Sequence, residues 1–111
     1  MKLLIAIMSK DDRDEAERLL TNEGFMLTEM GSTGGFLKKK SVTLLIGTPA
    51  DKVGRAKELI KRAAGKRSIT MYQSGTPSPD QVAHQSISSP VDTQVGGCTV
   101  FELDATAMNK Y

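Results

Sequence analysis

The sequence predicts an α+β, ferredoxin-like protein, with an antiparallel sheet carrying two helices on one face and a long loop. The apolar patterning runs strand, helix, strand, strand, helix, strand, which reads as two βαβ units. Only two segments have helical periodicity, fewer than a flavodoxin-like parallel sheet would place between its strands. The 111 residues, 39% hydrophobic and 25% charged, suffice for one folded domain and not for two separate cores. Residues 1–111 are therefore expected to form a single domain.

Leu3 to Met8 is a continuous apolar run, suited to a strand covered on both faces and too short for a helix. It also falls short of the roughly 20 apolar residues of a membrane helix. Asp11 to Glu23 follows with Ala16, Leu19 and Leu20 at helical spacing, acidic residues where the helix dipole favours them, and Gly24 as the stop. Residues 25–32 alternate as a second strand, and Ser41 to Gly47 forms the third. Thr48, Pro49, Ala50 and Asp51 predict a helix start with a capping hydroxyl, a proline at the first helical position and a carboxylate three residues after the cap. Val53, Ala56, Leu59, Ile60 and Ala63 supply that helix's apolar stripe, and Gly65 closes it. Arg67 to Gln73 is expected as the fourth strand. Residues 74–96, with Pro77, Pro79 and Pro90, have no core pattern and read as a long flexible loop. Thr99 to Leu103 returns to strand character.

The net charge of +2 conceals a strong asymmetry. Residues 1–37 carry four basic and seven acidic side chains, residues 38–67 ten and two, and residues 68–111 one and four, a division of −3, +8 and −3. A small anion suits this arrangement better than a nucleic-acid polymer, for which five aromatic residues and no Trp supply little stacking surface. The single cysteine, Cys98, forms no intrachain disulfide and, with one histidine, no zinc set, so a reducing cytoplasm is the expected location. Neither His84, in the polar loop, nor Cys98, at a strand start, belongs to a recognisable catalytic constellation. Asp11, Asp12, Asp14 and Glu15 lack EF-hand spacing and read as an acidic first helical turn.

The most informative stretch is Thr33-Gly34-Gly35-Phe36-Leu37-Lys38-Lys39-Lys40. Adjacent glycines let backbone amides approach an anion, the lysines add charge, and Phe36 offers an aromatic face. These are elements of nucleotide binding, although neither GxGxxG nor GxxxxGK[ST] is present. The plainer reading is a glycine turn with solvated lysines joining two strands.

KLLIAIMSKDD at the start, STGGFL at 32–37 with TLLIG at 43–47, and VGGCTVFELD at 95–104 resemble the PII-like signal-transduction proteins that act as cyclic-di-AMP receptors. That resemblance implies a homotrimer of ferredoxin-like protomers, with cyclic-di-AMP or a related adenine nucleotide bound between subunits, no cofactor, no enzymatic activity and no membrane association. It further implies that Gly35, Phe36 and Leu37 form a pocket wall, that Thr28 and Gly47 contact the nucleotide, and that Phe101 lines the pocket. The second, third and last strands would bring these positions together, and residues 75–95 would form a loop presenting a surface to a downstream partner. The chain departs from the family at Met26, where Arg is usual, and at Lys40-Ser41, where Gly-Asn is usual. Met supplies no fixed donors, and Ser lacks an amide's paired donor and acceptor. The alternative is a protein-interaction module of this fold with no small-molecule ligand or a different one, working through the basic helix or the polar loop.

Overall fold

A computed structural model describes residues 1–31, 40–73 and 89–111. Along the chain lie β1 (Lys2–Ser9), α1 (Lys10–Asn22), β2 (Met26–Gly31), β3 (Ser41–Thr48), a 3-10 turn (Ala50–Lys52), α2 (Val53–Ala64), β4 (Arg67–Gln73), β5 (Ser89–Val95) and β6 (Cys98–Asp104). The main sheet is antiparallel with order β2-β3-β1-β6, and β4 and β5 form a separate two-stranded ribbon. This is the predicted α+β, ferredoxin-like arrangement.

The continuous apolar run of β1 becomes its central position. Leu4, Ala6 and Met8 point to one face and are buried with Val42, Leu44 and Ile46 of β3 beneath Ala16 and Leu20 of α1 and Val53, Ala56, Leu59, Ile60 and Ala63 of α2. Each element thus meets the core with its own periodicity, two for the strands and 3.6 for the helices. Ser9 caps α1, its hydroxyl accepting the Asp11 N–H at 3.3 Å. Gly24, at φ 85°, supplies the left-handed turn after the helix.

Three local expectations are corrected. Thr48 does not cap a helix: it ends β3 with its hydroxyl buried against the Pro49 carbonyl, and the 3-10 turn intervenes before α2. Arg67–Gln73 does not provide the fourth strand of the main sheet. That edge belongs to β6, whose Phe101 pairs with Ile5, while β4 pairs with β5 outside the sheet. Ser89–Val95, expected within the loop, is a strand; its polar residues and Pro90 suit an exposed ribbon that has no core face to fill. His84 and the rest of the expected loop, residues 74–88, lie outside the described residues.

The ribbon is an insertion between α2 and β6. The chain leaves at Gly65 and re-enters at Gly97, whose N–H donates to the Ala64 carbonyl at 2.7 Å. Arg67 fastens this root: its guanidinium donates to the Gly65 carbonyl at 3.1 Å and to the Asp12 carboxylate at 2.7 Å.

Candidate functional site

Among the described residues the sheet's other face carries no helix, yet it is not polar as a solvated antiparallel face would be. Register defines its three rows: Met26, Gly47, Leu3 and Leu103; Thr28, Leu45, Ile5 and Phe101; Met30, Thr43, Ile7 and Thr99. Met26, Met30, Phe101 and Leu103 are about half exposed, at 52%, 50%, 54% and 45%. Exposed apolar groups gathered on one face are a feature that contact surfaces share.

Thr28, Gly47 and Phe101 all lie on this face. Thr28 and Gly47 are diagonal neighbours on adjacent strands. Phe101 shares the row of Thr28 but sits on the opposite edge strand, three strand spacings or about 14 Å away. Within one chain Thr28 and Gly47 lie close together, while β1 and β3 stand between them and Phe101. Gly35, Phe36 and Leu37 lie outside the described residues. The described strand ends Gly31 and Ser41 lie about 20 Å along the sheet from Gly47.

At the Gly47 end is a cleft of about 280 Å³ lined by Met26, Gly47, Thr48, Lys52, Met108 and Lys110, among others. The chain after β6 supplies its outer side. The Ala105 N–H donates to the Met1 carbonyl at 3.1 Å, and the tail then brings Met108 over Gly47 and Lys110 beside Met26. Glu23, also on the rim, is held by Arg55, which keeps its carboxyl below the usual carboxylate range. Sequence reasoning missed this tail because Ala105 to Tyr111 has no periodic signal.

The other end of the sheet joins three features. The Lys10 N–H donates to the Lys40 carbonyl at 3.1 Å, tying the first turn of α1 to the end of the glycine-lysine segment. Two residues on, Asp12 is buried and paired with Arg67 at the ribbon root. The acidic first turn is therefore correctly expected, but Asp12 does more than complement the dipole. A signal was available: Asp12 precedes Ala16 and Leu20 by one and two turns, on the same inward stripe. Burial, and then the charge of Asp12, push the thiol of half-buried Cys98 up to about 11, which fits a small packing residue and not a nucleophile. No metal-binding group of three or more His, Cys, Asp or Glu occurs among the described residues. No helix among them is long and apolar enough to cross a membrane.

The family described as cyclic-di-AMP receptor matches residues 1–111, the whole chain. The protein belongs to the cyclic-di-AMP receptor family. Its fold is shared by a functionally unknown protein from Pediococcus pentosaceus, 28% identical, with a TM-score of 0.77 over 99% of this chain and 96% of that one. The cyclic-di-AMP receptors are a receptor and signalling family, and cyclic-di-AMP is the ligand that membership implies.

Proposed function

We propose that the chain is a cytoplasmic PII-like signalling protein, not an enzyme, that binds cyclic-di-AMP at the subunit interfaces of a homotrimer. One observation carries this reading: Thr28 and Phe101 occupy opposite edges of a single apolar row. A small ligand touches both when the β2 edge of one copy meets the β6 edge of the next, a head-to-tail contact that closes into a ring. The same assembly covers the open apolar face. Gly35, Phe36 and Leu37 would reach the ligand from the β2–β3 connection, with Thr28 and Gly47 supplied by the sheet.

Signalling runs through the ribbon and residues 74–96 toward a downstream protein. The first turn of α1 supports this route, since Lys10 is bonded to Lys40 and Asp12 to Arg67. A change of position at the glycine-lysine segment is thereby joined to the ribbon root through one rigid helical turn.

Titration calorimetry against cyclic-di-AMP, cyclic-di-GMP, ATP and AMP, with sedimentation equilibrium on the same samples, tests the proposal. The expected outcome is saturable cyclic-di-AMP binding, one site per chain, by a species three times the 12.0 kDa chain mass. Submillimolar affinity for none of the nucleotides removes the ligand reading, and a monomer mass removes the shared site.

A further inference from the structure

The charges around the cleft do not balance locally. Glu23 is occupied by Arg55, with contacts of 3.0 and 2.8 Å from the guanidinium Nε. Lys52, where α2 begins, and Lys110, in the tail, have no ion-pair partner among the described residues. The Lys110 ammonium instead lies 3.0 Å from the Met26 thioether, a weak acceptor for a full positive charge. The two cations converge on a concavity whose floor includes Gly47. A Cβ added at Gly47 would stand in ordinary contact with the Met108 sulfur, at 3.9 Å, so the methionine packs against this backbone and walls the cleft beside it. The volume of about 280 Å³ is at the small end for ligand sites and suits one nucleotide unit, not a whole dinucleotide.

We propose that the C-terminal tail completes an anion site: Lys110 and Lys52 hold a phosphate of the adenine nucleotide in the cleft beside Gly47, with Met108 forming part of its wall. This rests on Gly47 being a nucleotide contact, and adds residues that neither the family match nor the motifs name. Lysine is suited to the role as a mobile point charge that does not require bidentate geometry. The tail would then be a specificity element, favouring phosphorylated ligands over the nucleoside.

The test is calorimetric titration of the full chain and of Lys110→Gln, Lys110→Arg and Lys52→Gln with cyclic-di-AMP, AMP, adenosine and inorganic phosphate. Each Gln variant should weaken cyclic-di-AMP by about tenfold or more, while Lys110→Arg stays near the parent. Adenosine should bind the parent and variants alike, and phosphate alone more weakly than AMP. Methyl-labelled methionine NMR of the parent should show the Met108 resonance shifting on addition of cyclic-di-AMP. Undiminished binding by both Gln variants, or a Met108 signal unmoved in a parent that does bind, overturns the tail's role while leaving the family ligand intact. Absence of nucleotide binding by the parent overturns both readings.

Discussion

Asp12 and Arg67, 55 positions apart, form an ion pair of 2.7 Å between the first turn of α1 and the root of the β4–β5 ribbon. Asp12 is buried whereas Arg67 is 41% exposed, so the pair combines a desolvated carboxylate with a guanidinium still reached by water. Asp12→Asn and Arg67→Ala should each destabilise the protein by about 1–3 kcal/mol, below the range for a fully buried pair because solvent screens the Arg67 side. Urea unfolding of both variants and the double variant measures this. Strongly sub-additive losses show that the two residues act on each other, and additive losses dismiss the pair.

Gly96 stands beside this pair at φ 83°, and a Cβ there would lie 2.3 Å from the Gly65 carbonyl oxygen and 2.7 Å from an Arg67 nitrogen. Gly96→Ala should therefore lower stability by about 1–3 kcal/mol through strain and displacement of the guanidinium. Gly97→Ala has a strained φ of 118° as well, but its Cβ would meet only the Lys66 side chain, at 3.6 Å. Thermal unfolding should rank Gly96→Ala below Gly97→Ala, and the reverse order would deny the close approach at the root.

Burial, followed by the neighbouring carboxylate of Glu29, raises the Glu17 carboxyl above its ordinary range. A folded-state pKa raised above the unfolded value gives a contribution that is full below the ordinary carboxyl range and lost as pH rises through the raised value. At neutral pH the charged form is therefore the disfavoured one. Glu17→Gln should raise Tm slightly at pH 7, with the gain shrinking as pH falls toward 4, screened because the site is largely solvated. A lower Tm at pH 7 would contradict the repulsion.

Ile5 lies at the centre of the open apolar face, between Leu45 and Phe101. If that face joins the subunits, Ile5→Asp should shift sedimentation from the assembly to the 12.0 kDa chain. Phe101→Asp, at the exposed edge, serves as a second variant with less risk to folding. Unchanged assembly mass in the folded Phe101→Asp protein would exclude the β6 edge from the interface.

Much of this architecture is legible in the sequence because burial leaves period-specific marks. Leu3 to Met8 announces the central strand, of which Leu4, Ala6 and Met8 enter the core, and Val53 to Ala63 announces an amphipathic helix. What the pattern does not encode is pairing. Arg67–Gln73 and Thr99–Leu103 both read as strands, and only the long-range match of Phe101 to Ile5 decides which completes the sheet. Ser89–Val95 leaves little apolar trace, with Val91 and Val95 beside Pro90, and none of its residues belongs to the described core cluster. At the site, Thr28, Gly47 and Phe101 are placed on one face, but their distribution over two opposite edges emerges only from register. The contributions of Met108 and Lys110 arise from an aperiodic tail that local propensity does not place.

The central claim is that one nucleotide is held by Thr28 of one copy and Phe101 of the next. Mixed assemblies test it most directly. Thr28→Val and Phe101→Ala proteins, each weakened alone, are to be unfolded together, refolded as a 1:1 mixture and titrated with cyclic-di-AMP. A head-to-tail ring assembled at random regains both native residues at about one quarter of its sites, so a fraction of that size should bind with parental affinity. If both residues serve a site within one chain, every site keeps one defect, and a mixture recovering no tight sites would contradict the account.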